Sequence, residues 1–162
     1  MNTKNFAVAA TLAAGVLLAA CKTQAPAPEP APPPPVAQSQ KLSADGLFAF
    51  GKASLDDFSD AGRAQLDAFA ASLLGGAPYE IVHVIGHSDR IGNAKANVQL
   101  SNRRAESVRD YLVQKGVPAA RITAVGRGSV EPIVECEDRD RDALIACLAP
   151  NRRVEIRVVP AR

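Results

Sequence analysis

A run of apolar, mostly β-branched residues, Ile81-Val82-His83-Val84-Ile85, stops at Gly86 and gives way to a segment whose apolar positions fall three and four apart. A short run of that kind, closed by glycine, reads as a buried strand. From Asn97 onward, Val98, Ala105, Val108 and Leu112 trace the inward stripe of a helix, with Ser101 on the same face. Gly116-Val117-Pro118 ends it, the glycine as cap and the proline beyond.

The flanking chain supplies the remaining elements. Leu47-Phe48-Ala49-Phe50 reads as a first strand. Ser59 or Asp60 then caps a helix carrying Ala64, Leu66, Phe69, Ala70, Leu73 and Leu74, ended by Gly75-Gly76. Arg121–Gly126 reads as a third strand, and Val154-Glu155-Ile156-Arg157-Val158 alternates apolar with charged, as a last strand with one buried and one polar face does. The order β-α-β-α-β-(α)-β predicts an α/β (α+β) sandwich, two main helices packed on one face of a mixed four-stranded sheet. Phe69, Ile81, Val84, Val108, Leu112, Val125 and Ile156 are the expected core.

A strand running into a helix places Asp89 just past the strand's C-terminal end, where α/β sheets bind ligands. Asn97, Ser101 and Arg104 fall at helical spacing near the helix start, an end that favours anions. A loop folding Asp89 back onto that stripe sets an acceptor-only carboxylate beside a guanidinium fork. The pair suits a ligand bearing an ammonium and a carboxylate on one carbon, the free end of an amino acid. The same spacing serves equally for a plain Asp89–Arg104 salt bridge.

Gly86-His87-Ser88-Asp89-Arg90-Ile91-Gly92, Asn97, Leu100-Ser101-Asn102-Arg103-Arg104-Ala105 and Asn151-Arg152-Arg153-Val154-Glu155 together resemble the signature of the OmpA-like C-terminal domain family. The likeness extends in the family's order from about residue 43 to 159. That family binds peptidoglycan noncovalently. The resemblance therefore implies that Asp89 and Arg104 grip the ammonium and carboxylate of diaminopimelate in the wall's stem peptide, with Asn97 and Arg152 close by. Where the family often carries Asp or Asn after the first strand's aromatic, this chain has Gly51 after Phe50, which offers backbone alone. A second expectation is docking of an envelope complex such as the Tol system, as peptidoglycan-associated lipoproteins do, with wall binding secondary. No cofactor is implied.

Residues 1–20 read as a secretory signal, with Lys4 followed by an apolar stretch from Phe6 to Ala20 too short for a comfortable membrane span. Its end, Leu18-Ala19-Ala20-Cys21, resembles a bacterial lipobox, which implies acyl chains on Cys21. By lipoprotein sorting habits Lys22 points to the outer membrane, with the domain facing the periplasm. Residues 21–40 form a Pro- and Ala-rich tether, and 41–162 the binding domain. Three cysteines in an exported chain leave one odd thiol; with Cys21 acylated, Cys136 and Cys147 remain to pair in an oxidising compartment. The insertion holding them, followed by Leu148-Ala149-Pro150, resembles the enterobacterial OmpA branch.

Other chemistries fit less well. Net charge is +2 with no tryptophan and no basic stripe interleaved with aromatics, which argues against nucleic acid. Gly86-His87-Ser88-Asp89-Arg90 lacks the closing glycine of a nucleophile elbow, and adjacent side chains point alternately rather than forming a relay. His83 and His87, four apart on a strand, are separated by over ~12 Å and share no metal. His83 is expected near the sheet surface.

Overall fold

The computed structural model describes residues 38–48 and 52–161. Cys21, Phe50 and Gly51 lie outside the described residues, as do the expected signal segment and most of the tether. The described chain runs β1 (Gln38–Ser43), α1 (Ala44–Leu47), α2 (Asp60–Gly75), β2 (Tyr79–His87), α3 (Ala94–Gln114), β3 (Ile122–Gly126), α4 (Arg141–Cys147) and β4 (Arg153–Pro160). The strands form one mixed sheet in the order β1-β4-β2-β3. β4 lies antiparallel between β1 and β2, and β2 pairs parallel with β3 through the α3 crossover.

The expected sandwich of two main helices on one sheet face is present, but its first strand is earlier than predicted. β1 pairs with β4 from Gln38 opposite Val158 to Ser43 opposite Arg153, taking in residues 38–40 of the segment read as tether. Only Leu42 of this edge strand is buried, so no apolar run announces it. Leu47 and Phe48, expected in that strand, instead close α1 and form a single antiparallel bridge from Phe48 to Phe58. Both are buried, and the Phe48 and Phe58 rings pack with centroids 4.7 Å apart.

Helix α2 starts where Ser59 Oγ accepts the Gly62 N–H at 2.9 Å. Its Leu66, Phe69, Ala70 and Leu73 meet Ala105, Val108, Tyr111 and Leu112 of α3 over Val82, Val84, Ile122, Val154 and Ile156 of the sheet. Fully burying an aliphatic side chain such as Leu66 or Ile156 contributes about 1.5–3 kcal/mol.

Strand parity corrects two expected core residues. Val82 and Val84 face the helices, so Ile81 lies on the far face and is only half-buried. On β3, Ile122 and Ala124 face inward, which leaves Val125 on the far face and exposed. Val98, expected on the inward stripe of the helix, is also exposed. The charged far side of β4 is not simply solvated. Arg153 and Glu155 are buried beside His87 under the 127–151 connection, whose backbone accepts from Arg153 Nη1 at Glu131 O (3.2 Å). His83 is half-buried, with Nδ1 2.8 Å from Thr123 Oγ1.

Gly86 and Gly126 are register partners on β2 and β3. A Cβ on Gly86 would overlap the Ser101 carbonyl oxygen, and one on Gly126 would overlap the Asn102 amide nitrogen. Two adjacent glycines thus let the first turns of α3 settle directly onto the sheet, next to the loop that carries Asp89.

Candidate functional site

The loop from β2 to α3 is folded by its own side chains. Asp89 Oδ1 accepts the Ile91 N–H at 2.9 Å, a local turn typical of aspartate. Gly92 follows at φ +93°, a backbone conformation that favours glycine. Asn93 caps α3 by accepting the Ala96 N–H at 3.1 Å. Asn97, one turn in, donates from Nδ2 to the carbonyls of Asp89 (3.1 Å) and Ile91 (3.0 Å). Asn97 therefore pins the loop that presents Asp89.

Arg104 lies two turns further along α3 and is 4% exposed. Its Nε donates to the Lys52 carbonyl at 3.0 Å, and its guanidinium carbon sits 5.5 Å from the centre of the Phe48 ring. Burial lowers its pKa from the ordinary value, with Asp45 and Asp89 opposing and Arg152 reinforcing. An arginine remains a cation in such a place.

Arg152, just before β4, holds the acidic side together. Its Nη1 donates to Asp89 Oδ2 (2.8 Å) and to the Ile145 carbonyl of α4 (3.0 Å). Its Nε and Nη2 grip Asp45 at 3.0 and 2.8 Å. The Asp45 bond raises the Arg152 pKa most, against burial, with Asp89 adding to it.

Asp89, Arg104, Asn97 and Arg152 all line one cleft of about 220 Å³. That is below the ~300–1,000 Å³ usual for drug-sized ligands, so it suits an amino-acid-sized group better than a whole glycan chain. The plain Asp89–Arg104 salt bridge does not form. Asp89 pairs with Arg152 instead, and among the described residues Arg104 has no carboxylate partner. An acceptor and a fork without a carboxylate partner thus share a small space, with charges opposite to those of a zwitterion.

Asp45, Arg141 and Ile145 also line this cleft and were missed as site residues by the sequence. Asp45 has one legible signal, the capping Ser43 whose hydroxyl accepts the Gly46 N–H and so marks a helix start. Its pairing with Arg152, 107 residues away, has none. Arg141 and Ile145 belong to α4, which the Cys136–Cys147 disulfide closes as expected. Arg90 Nη2 donates to the Cys136 carbonyl at 2.7 Å, joining the disulfide loop to the Asp89 loop. His87 and Ser88 make no side-chain hydrogen bond among the described residues, so no nucleophile–base pair is assembled there. No cluster of metal-ligating side chains occurs among those residues either.

Comparison with known proteins places the chain in a family. A family model described as the OmpA family matches residues 47–145. The chain is 49% identical over 121 residues to outer membrane protein A of Yersinia pseudotuberculosis, covering 72% of this chain and 33% of the relative. It is 46% identical over 121 residues to outer membrane protein A of Escherichia coli O157:H7, covering 72% and 34%. The chain thus spans a third to a half of the length of the curated relatives it matches. Among solved structures, the cell wall anchor of the type VI secretion system from Pseudomonas aeruginosa aligns at TM-score 0.62 and 31% identity, covering 77% of this chain and 82% of that one. The peptidoglycan-associated lipoprotein of Burkholderia pseudomallei aligns at TM-score 0.55 and 28% identity, covering 69% and 86%.

Proposed function

The chain belongs to the OmpA family, and from that premise we propose that its folded domain is a noncovalent peptidoglycan-binding module, not an enzyme, which holds the diaminopimelate of the stem peptide. The observation that carries this reading is the pairing of Asp89 and Arg104 across one small cleft with no bond between them. Asp89 accepts the ammonium and Arg104 the carboxylate of one amino-acid centre. Asn97 and Arg152 position Asp89 rather than seize the ligand, one through the loop carbonyls and the other through the carboxylate. Peptide-linked residues elsewhere in a wall lack a free ammonium and carboxylate on one carbon, whereas diaminopimelate retains such an end when it is not cross-linked. Acyl chains on Cys21 then anchor the domain in the outer membrane, so that the protein fastens that membrane to the wall from the periplasmic side. A cell wall anchor and a peptidoglycan-associated lipoprotein among the structural neighbours support this reading.

Sedimentation with purified sacculi tests it. Asp89→Ala and Arg104→Ala are each expected to lose co-sedimentation while circular dichroism shows the folded state. Asp89→Asn and Arg104→Lys, which keep the shape of the cleft, should weaken binding at least tenfold, since each disturbs a charge-assisted bond. Wild-type sedimentation by folded Asp89 and Arg104 variants would rule this cleft out.

A further inference from the structure

Three guanidinium groups and two carboxylates line the cleft: Arg104, Arg141 and Arg152 against Asp45 and Asp89. Both carboxylates are engaged by Arg152. Arg104 waits for the carboxylate of the amino-acid end. Arg141 is left over: among the described residues its guanidinium makes no hydrogen bond and no ion pair, and its side chain is exposed at the cleft edge. The acidic neighbours in sequence do not neutralise it by contact, and Asp140 turns its carboxylate onto the Ala143 N–H at 2.9 Å.

The helix that carries it is held in place. Arg141 and Ile145 stand four apart on α4, which puts them on one helix face, and both line the cleft. Arg152 holds that helix by donating to the Ile145 carbonyl at 3.0 Å, and the Cys136–Cys147 disulfide secures its far end. A ligand whose ammonium and first carboxylate are met by Asp89 and Arg104 leaves this cation without a counter-charge.

Resting on the zwitterion reading above, we infer that Arg141 binds the second carboxylate of a diaminopimelate that ends its stem peptide, where no following residue has consumed that group, and makes the cleft select a dicarboxylic diamino acid over a monocarboxylic one. Arg141 is thus a specificity residue supplied by the disulfide-closed insertion, apart from the Asp89–Arg104 pair. Its bond is formed in partly exposed surroundings, so it sharpens the choice of ligand more than it adds to affinity.

Calorimetric titration of the full chain with meso-diaminopimelate and with D-lysine isolates the effect, because the two differ by one carboxylate. Wild type is expected to prefer meso-diaminopimelate by about fivefold, the upper range for an exposed ion pair. Arg141→Gln should bring that affinity down to the D-lysine value and leave D-lysine binding unchanged, while Arg141→Lys should retain part of the preference. A preference that survives Arg141→Gln, or a loss shared equally by both ligands, overturns the inference and leaves the zwitterion reading standing. Failure of wild type to bind either compound removes the zwitterion reading, and this inference with it.

Discussion

Arg152 governs how much of the Asp89 carboxylate is left free. The Asp89 carboxylate offers about four acceptor sites, and Arg152 and the Ile91 N–H use one on each oxygen. Asp45 draws the rest of the Arg152 fork away from Asp89. Asp45→Asn should therefore throw the Arg152 charge onto Asp89 and weaken meso-diaminopimelate binding several-fold by titration. Its cost in stability should stay below about 1 kcal/mol, because that pair is partly exposed. On the far face, a buried charge cluster sets the acid response. Burial by itself raises the Glu155 pKa, but hydrogen bonds from Arg157 and Arg153 outweigh it and bring it from 4.5 to about 2. A folded pKa below the unfolded one gives stability that is present above pH 4.5 and lost as pH falls toward 2, roughly 3 kcal/mol by linkage. His87 adds to the same slope from higher pH. Burial foremost, then Arg153, lowers its pKa from 6.5 despite Glu155 and Glu131, so the unfolded chain takes up a proton that the folded one refuses. Urea unfolding should show Glu155→Gln less stable than wild type at pH 7, with the gap closing as pH approaches 2. A gap independent of pH would show that the two arginines do not hold Glu155 ionised.

The contact between α3 and the sheet is the most sensitive joint in the domain. At Gly86 and Gly126 any side chain meets backbone rather than a side chain that can swing aside. Overpacking of that kind costs ~1–3 kcal/mol or more, and here the helix being pushed carries Asn97 and Arg104. Gly86→Ala should lower the thermal midpoint by several degrees and weaken sacculus binding in the fraction that remains folded. An unchanged midpoint would mean that α3 shifts freely on the sheet. The sequence announces the strand ending at Gly86 and the helix after it, because apolar residues recur at the right intervals on both. It does not announce that Gly86 serves the helix's approach, which depends on Gly126 standing beside it forty residues later. β1 was hidden for the opposite reason: backbone bonds to β4 hold Gln38–Ser43, and only Leu42 enters the core, so hydrophobic pattern carries almost no trace of it. The mistaken inward placement of Ile81 and Val125 follows from strands apolar on both faces, where parity cannot be read from residue type. Asp89, Arg104, Asn97 and Arg152 were legible as a set and do meet in one cleft. Asp45 and Arg141 were not, since what places them is the long-range path of Arg152 and the docking of α4.

A domain that grips one amino-acid end through a small cleft has modest affinity, because few atoms are buried and each ionic bond exchanges with water. Attachment to a membrane changes what that affinity accomplishes. In the arrangement proposed above, a tether would keep the cleft within reach of many identical wall sites, so that rebinding is effectively intramolecular and a modest wall affinity is multiplied by the membrane attachment. On the proposed arrangement the lipid on Cys21 supplies one attachment and the Asp89–Arg104 cleft the other. The two are separable, since Cys21 belongs to a segment distinct in sequence from the domain that carries the cleft. Cys21→Ser should abolish labelling by radioactive palmitate. It should also move the protein from the membrane fraction to the soluble periplasmic fraction after the wall is digested. The purified variant should still sediment with sacculi at the wild-type apparent affinity, while its retention on walls in intact cells becomes sensitive to expression level and salt. Should Cys21→Ser remain with wall-free membranes, something other than the lipid holds the chain there. Loss of affinity for isolated sacculi in the same variant would show that the segment around Cys21 takes part in wall recognition itself.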